Sequence, residues 1–284
     1  MSRPEKGSEV EVLVDSLAFG GRGVARLDDF VLFVDRALPG DRVRARVTKV
    51  KRSYGEATTV EMLAPGPDRV IAPCPHFGAC GGCKWQDLDY SAQQVWKAQQ
   101  IADVLKRIGH QDDFVQDPIV PAIRTYGYRN KLEFSFGETE EGPSLGFHRA
   151  GRWDEIMPVT ACLLMSEAGN EARRVVEAWA RRTNGEIWDR RSNTGYLRHL
   201  VVRASDRTGE LLLTLVTAPG AHHDAGLARL LVEHGADPNA RASLRKYDHE
   251  YRDITPLAWG QRFHTREFVN EQAMRAIAER GGHA

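Results

Sequence analysis

Residues 9–63, EVEVLVDSLAFGGRGVARLDDFVLFVDRALPGDRVRARVTKVKRSYGEATTVEML, alternate apolar and polar side chains with the period of two that is typical of β-strands. Turn-forming residues interrupt the alternation at Gly20-Gly21, Asp28-Asp29, Pro39-Gly40-Asp41 and Ser53-Tyr54-Gly55. Five short strands within about 55 residues predict a small OB-like β-barrel. Because helical and strand patterns follow this barrel, the predicted fold class of the whole chain is α+β.

The fourth predicted strand, which follows Asp41, alternates arginine with small apolar residues, so its cations share one face. A basic strand on an OB-like barrel can follow a phosphate backbone. Alternating charge is equally typical of an ordinary solvated strand face, and the strand alone favours neither interpretation. The candidate RNA-binding residues in this region are Arg42, Arg44, Arg46, Lys49 and Lys51.

Three of the four cysteines lie in IAPCPHFGACGGCKWQDL, residues 71–88, with the spacing C-x5-C-x2-C. Neighbouring glycines and prolines favour a loop that can wrap around a small inorganic group. Cys162 follows 79 residues after Cys83, and four thiolates with one distant in sequence suit a [4Fe-4S] cluster. Structural zinc with His76 as a ligand, and buried cysteines acting as apolar residues, are the alternatives. The candidate ligands are Cys74, Cys80, Cys83 and Cys162.

Composition describes a globular chain. Its 284 residues are 42% hydrophobic and 27% charged, which suits about two domains. No stretch approaches the ~18 apolar residues of a membrane span, and the N-terminal MSRPEKGSEV lacks the apolar core of a secretion signal. We therefore expect a cytoplasmic protein with no membrane partner. The 39 basic and 39 acidic residues balance, so a nucleic-acid surface requires local clustering of cations.

Helical and strand patterns follow the cysteines. Asp89 can cap a helix that Gly109 ends. Alternation predicts strands within residues 129–148 and 197–217, and residues 167–182 predict an arginine-rich amphipathic helix. The apolar residues expected close to one face of the first helix are Val95, Ile101, Val104, Leu105 and Ile108.

Cations on or beside these central strands are interleaved with aromatic side chains, for example in TYGYRNKLEFSFG, residues 125–137. This combination suits phosphates and unstacked bases. Aromatic residues at strand spacing are more often part of a core. We therefore single out only Arg129 and Lys131 as RNA-facing candidates.

These segments together resemble the SAM-dependent uracil-C5 RNA methyltransferases that act on large-subunit rRNA. GGRGVARLDDFVLFVDRALPGDRVRARV is similar to the TRAM domain, an RNA-binding OB-like barrel, and PCPHFGACGGCKWQDLDYSAQQVWKAQQI to the family's iron-sulfur motif and following helix. TYGYRNKLEFSFG resembles part of its central domain, and Cys162 falls where the family places a fourth cluster ligand. The resemblance covers about residues 8–219. It implies a [4Fe-4S] cluster that shapes an RNA-binding surface, and rRNA as partner.

The family's catalytic features do not follow in this sequence. Covalent activation of uracil requires a thiolate that is free to attack, and all four cysteines are assigned to the cluster. After Gly220 no Gly-x-Gly-x-x-Gly or similar pattern follows an apolar strand. SAM is thus implied only by the resemblance, and we expect the chain to be inactive alone.

Residues 221–284 contain two stretches that resemble parts of ankyrin repeats. LARLLVEHGADPNAR at 227–241 is similar to the second helix and exit loop of an ankyrin repeat, and DITPLAWGQRF at 253–263 to the entry of the next repeat. An ankyrin-like helical tail would offer a surface for a protein partner. Alternatively, GQRFHTREFVNEQ is a degenerate form of the Phe-Phe-Gln-x-Asn entry to the family's SAM domain. The predicted domains are residues 8–65 (TRAM barrel), 66–220 (cluster and central domain) and 221–284 (tail).

Four functions fit these patterns. The first is an rRNA-recognition protein derived from a uracil methyltransferase, acting without catalysis or with a separately encoded catalytic domain. The others are a truncated or misjoined methyltransferase gene product, an electron-transfer protein, and an ankyrin-type interaction scaffold. A cluster without a flavin or haem motif gives the electron-transfer interpretation little support.

Overall fold

A computed structural model describes residues 3–218, together with residues 230–231, 233, 242–246, 249–254 and 278–279. The chain divides into two compact units. The first holds the residues up to Tyr128 with Phe147–Met157 and Cys162–Leu164, and the second holds Arg129–Gly146, Pro158–Ala161 and the chain from Met165 onward. The barrel and the cysteine segment thus share one unit, whereas the predicted boundaries of 8–65, 66–220 and 221–284 separate them and remain a prediction.

The N-terminal strands close into a barrel, as the alternation in residues 9–63 predicts. Small aliphatic side chains such as Val14, Val34 and Val43 fill its interior and are almost completely buried. The strand order is β1-β2-β3-β5-β4, with β3 parallel to β5 and every other pair antiparallel. The strands are β1 (Glu9–Leu17), β2 (Gly23–Leu27), β3 (Phe30–Asp35), β4 (Arg42–Val50) and β5 (Tyr54–Ala64).

Between the barrel and the first helix, residues 65–89 form turns and isolated bridges. The turn after β1 packs against this segment so closely that a Cβ on Gly21 would lie 2.9 Å from the Trp85 Nε1 atom. Helix α1 (Tyr90–Arg107) begins where predicted, because the Asp89 side chain accepts a hydrogen bond from the Ser91 amide at 2.9 Å. Its last residue is Arg107, and Gly109 follows the C-cap Ile108, as the predicted stop at Gly109 requires.

The second half of the described chain is built on a five-stranded sheet of order β10-β9-β6-β7-β8. Helix α2 (Glu167–Arg182) packs on it through Ala172, Val176 and Trp179, all buried. This confirms the predicted strands and the predicted amphipathic helix. The strands are β6 (Lys131–Thr139), β7 (Gly142–His148), β8 (Ile156–Pro158), β9 (Leu197–Ala204) and β10 (Leu211–Thr217).

Beyond residue 218 the structure describes an antiparallel hairpin of β11 (Ala242–Lys246) and β12 (His249–Ile254). Most of the residues compared with ankyrin repeats, 227–241 and 253–263, lie outside the described residues. Within the described part of the chain, no helix is long and apolar enough to cross a membrane.

Candidate nucleic-acid interface and cysteine loops

The cations of β4 project from the barrel, but carboxylates on the two flanking strands meet them. In the register of the sheet, Glu9 lies opposite Arg46 and Glu11 opposite Arg44. The Arg46 Nη2 atom lies 2.8 Å from the Glu9 carboxylate, and Arg44 bridges Glu11 and Glu61. Hydrogen bonding to Glu11, followed by the charge of Glu61, raises the pKa of Arg44.

The same pattern continues along the strand. Arg42 lies 3.5 Å from a Glu11 oxygen and Lys49 lies 2.8 Å from a Glu56 oxygen, whereas Lys51 follows the end of β4 and is exposed. Four of the five predicted cations are therefore balanced by cross-strand carboxylates. The sequence carries this signal, because Glu9 and Glu11 alternate with valines as the arginines do, but using it requires knowing that β1 pairs with β4.

A second group of cations lies on the open face of the central sheet. Lys131 at the start of β6 is directly opposite Arg203 in β9, and both side chains are exposed. Along the same face Glu133 is opposite Val201 and Ser135 is opposite His199. The residues between them, Leu132, Phe134 and Val202, are buried.

Like charges opposite each other in a sheet are destabilising unless a counter-ion lies between them. Glu133 supplies partial compensation, with an oxygen 3.8 Å from the Lys131 Nζ atom. Arg129, the other predicted RNA-facing residue, lies two positions before Lys131 and is also exposed. This face therefore carries a net positive charge suited to a phosphate. Sequence reasoning missed Arg203, because only the β6–β9 register brings it to Lys131.

The cysteine loop is folded by backbone hydrogen bonds. The Phe77 amide donates to the Cys74 carbonyl at 3.0 Å and the Cys80 amide to the His76 carbonyl at 2.8 Å. Side chains and backbone also donate to the sulfur atoms: the Gly82 amide lies 3.4 Å from Cys80 Sγ and the Gln86 amide nitrogen 3.1 Å from Cys83 Sγ. Donors of this kind stabilise thiolate sulfur.

The segment of His148 and Ala150 contacts this loop within the first unit, and a further contact there joins Gly127 to Leu163. The Gly81 amide donates to the His148 carbonyl at 3.0 Å, and the Ala150 amide to the Ala79 carbonyl at 2.8 Å. The Gly127 amide donates to the Leu163 carbonyl at 2.8 Å, next to Cys162. Burial, and then the charges of Cys83 and Cys74, raise the pKa of the neighbouring Tyr126.

The loops that carry the four cysteines therefore belong to one unit, and each sulfur-bearing residue is partly buried. Among the described residues, which include all four cysteines, no group of three or more His, Cys, Asp or Glu side chains is arranged to hold a metal ion. Within the described residues, the structure places the segments predicted to bind a cluster in one unit without gathering their thiols into a metal site.

Comparison with known proteins gives these features a context. Residues 3–60 match the TRAM domain family. Over 265 residues the chain is 34% identical to an uncharacterised RNA methyltransferase of Halalkalibacterium halodurans, covering 91% of this chain and 57% of that protein. It is 38% identical over 214 residues to an uncharacterised RNA methyltransferase of Nitratidesulfovibrio vulgaris, covering 75% of this chain and 46% of that protein.

A solved structure gives the same indication. The tRNA (uracil-54, C5)-methyltransferase of Pyrococcus abyssi, in complex with S-adenosyl-L-homocysteine, matches with a TM-score of 0.55 and 25% identity over 74% of this chain and 46% of that chain. The chain is therefore homologous to RNA methyltransferases over about nine-tenths of its length, and it spans about half the length of the relatives it matches.

Proposed function

We propose that this chain is the RNA-recognition part of a SAM-dependent RNA uracil-C5 methyltransferase. Three observations support the proposal: the TRAM domain, the homology to RNA methyltransferases, and the structural match to an S-adenosyl-L-homocysteine-bound tRNA methyltransferase. SAM and methyl transfer to uracil C5 enter the proposal through the family resemblance and through that S-adenosyl-L-homocysteine-bound neighbour.

The cross-strand pair of Lys131 and Arg203 is the observation that carries the RNA-binding part of the proposal. Two exposed cations held opposite each other on a sheet face are best explained by an anionic ligand that neutralises both. A structured RNA with an unmodified uridine is the substrate class. The sequence resemblance favours large-subunit rRNA, whereas the solved neighbour acts on tRNA, so both substrates belong in the test.

For the cysteines, the donor set fits an iron-sulfur cluster. Cys74, Cys80, Cys83 and Cys162 would supply four thiolates, the ligand set of a [4Fe-4S] cluster. Hydrogen bonds from Gly82 and Gln86 already point at two of the sulfurs. A bound cluster would supply a covalent cross-link between the cysteine loop and the Cys162 segment within the first unit.

For the tail, the homology favours the methyltransferase interpretation over the ankyrin one. Residues 221–284 make up more than a fifth of the chain, so an alignment that covers 91% of it must extend well into them. GQRFHTREFVNEQ would then be the entry to the methyltransferase part. A protein partner bound through an ankyrin-like tail remains a prediction without support from these relatives.

The test is RNA binding by the purified chain. Replacing Lys131 and Arg203 together by Gln should weaken binding to unmodified rRNA and tRNA transcripts, and should flatten the dependence of log K on log salt by about two units. The matched control is Arg182→Gln with Arg190→Gln, which removes two exposed charges from the end of α2 and the loop that follows it. An equal loss of RNA affinity in both variants would show that the effect follows from net charge alone, and would contradict the proposal that RNA binds on this face.

A further inference from the structure

Helix α1 packs on the end of β1 and on the loop before the helix through a face that is partly polar. Ala92 is its buried residue, and Trp96 packs against the small apolar cluster of Leu17, Leu38 and Leu88. On the same side, the Gln100 amide donates to the backbone carbonyls of Leu17 at 3.2 Å and its neighbour at 3.1 Å. The Gln93 amide also donates to the carbonyls of Trp85 and Leu88, each at 2.9 Å. The contact that positions the helix thus uses one small residue, one indole and two glutamines.

Several aliphatic side chains of the helix are exposed and lie outside this contact. At 100° per residue, Ile101, Val104 and Ile108 form one row along the helix, and their exposed fractions are 49%, 43% and 74%. The expectation that all the apolar residues of this helix share a face is wrong for Val95, which lies half a helical circumference from Val104 and is 66% exposed.

The segment that follows α1 lies beside the helix. It runs back along the helix, since the Gln116 side chain donates to the Ala98 carbonyl at 3.0 Å and the Ala122 amide to the Tyr90 hydroxyl at 2.7 Å. This segment contributes further aliphatic side chains that are almost fully exposed. The α1 surface, as we call it, consists of Ile101, Val104, Ile108, Val115, Val120 and Ile123.

We propose that the α1 surface is the docking site for the SAM-binding catalytic domain, an inference that rests on the proposed function. Exposed aliphatic side chains in a row along a helix mark a protein interface, because leaving them in water is unfavourable. The row at positions i, i+3 and i+7 is the pattern by which an amphipathic helix packs on another domain. The matched part makes up about half of each relative, so the remainder is long enough to form a further domain that could cover this surface.

The experiment combines the purified chain with the part of the Halalkalibacterium halodurans relative that the alignment does not cover, and measures binding by calorimetry. Val104→Ser with Ile108→Ser should weaken the complex by at least about tenfold. Val95→Ser is the matched control, because it changes the same residue type on the same helix, away from the row, and should change the affinity by less than about twofold.

Binding of RNA by the chain alone is measured in parallel. It should be unchanged in all these variants, so that its loss or absence would count against the proposed function and not against the docking site. Three results would overturn the docking site: no complex with wild-type chain, equal weakening by Val95→Ser, or a dimer of the free chain that Val104→Ser with Ile108→Ser dissociates. Protection of Ile101 and Val104 from carbene labelling in the free chain would also overturn it, because other residues of the chain would then cover the row.

Discussion

Asp41, which is completely buried, accepts two hydrogen bonds from Arg69, at 3.0 Å from Nε and 2.5 Å from Nη2. The same carboxylate accepts from the Leu38 amide at 2.6 Å and the Gly66 amide at 2.8 Å. Arg69 in turn lies 2.5 Å from Asp87. One carboxylate therefore joins the end of the barrel to the segment that carries the cysteines.

Replacing Asp41 by Asn should destabilise the protein strongly, because it leaves the Arg69 charge without its main partner in a partly buried position. Removal of one partner from a buried pair costs about 3 kcal/mol or more. Urea unfolding followed by circular dichroism measures the change. Arg174→Gln, which removes an exposed charge paired with Glu167 and Glu171, is the control and should leave the free energy of unfolding nearly unchanged. A similar loss in both variants would contradict a special role for Asp41.

Asp87 should behave differently from Asp41. Its burial raises its pKa above the ordinary value of 3.8, although the charge of Arg69 acts in the opposite direction. The folded state therefore favours the protonated form of the Asp87 carboxyl. At a pH above the folded pKa the ionised carboxylate lowers the free energy of unfolding. This loss disappears as the pH falls towards 3.8.

We therefore compare the free energy of unfolding of Asp87→Asn with that of wild type. The difference in favour of the variant should be larger at neutral pH than at about pH 4. Unfolding in urea at the two pH values measures the difference. A stability difference that does not change with pH would show that Asp87 has the same pKa in the folded and unfolded chain.

The arginines of β4 should contribute little to the salt dependence of RNA binding. Arg44 and Arg46 are neutralised by Glu9, Glu11 and Glu61, so they release fewer counterions than unpaired cations. Replacing both by Gln should change the salt slope by less than about one unit, as measured by fluorescence anisotropy over a range of salt. A change of about two units would show that the phosphate backbone displaces the carboxylates.

Protein prepared without oxygen should be brown and contain about four irons per chain, because four thiolates of this kind suit a [4Fe-4S] cluster. Cys80→Ser should remove the visible absorption and lower the iron content. Iron analysis and the absorption spectrum measure both effects. Stoichiometric zinc without iron in the anaerobic protein would contradict the cluster and show that the cysteines hold a structural zinc ion.

The chain alone should not methylate RNA. Methylation at uracil C5 requires a nucleophile that attacks C6, transfer of the methyl group to C5, and a base that removes the C5 proton before the nucleophile leaves. The chain has four cysteines, and the proposed cluster would bind all of them and leave no thiol to attack. Loss of a covalent nucleophile costs several orders of magnitude in rate. The assay is incubation with labelled SAM and unmodified rRNA or tRNA. Label in 5-methyluridine in proportion to protein concentration would place a donor site and a nucleophile within this chain.

Local patterns predicted most of the secondary structure. Alternation located the barrel strands and Asp89 marked the start of α1, because strand faces and helix caps are properties of neighbouring residues. The candidate interface could be predicted only in part. Lys131 was found from its neighbours, whereas its partner Arg203 lies 72 positions later and meets it only through the β6–β9 register. The carboxylates facing Arg44 were missed for the same reason, since β1 and β5 flank β4 only in the closed barrel.

The cysteine loop completes its contacts late in synthesis. Its hydrogen bonds to the His148 segment, and the Gly127 contact with Leu163, involve residues about 65–80 positions after Cys83. At a translation rate of 5–20 residues per second, the loop emerges roughly 3–16 s before these partners. The barrel and α1 can fold during that interval, whereas the proposed cluster would lack its fourth ligand, Cys162. Any metal delivered to the nascent chain would therefore meet three thiols before the fourth is available.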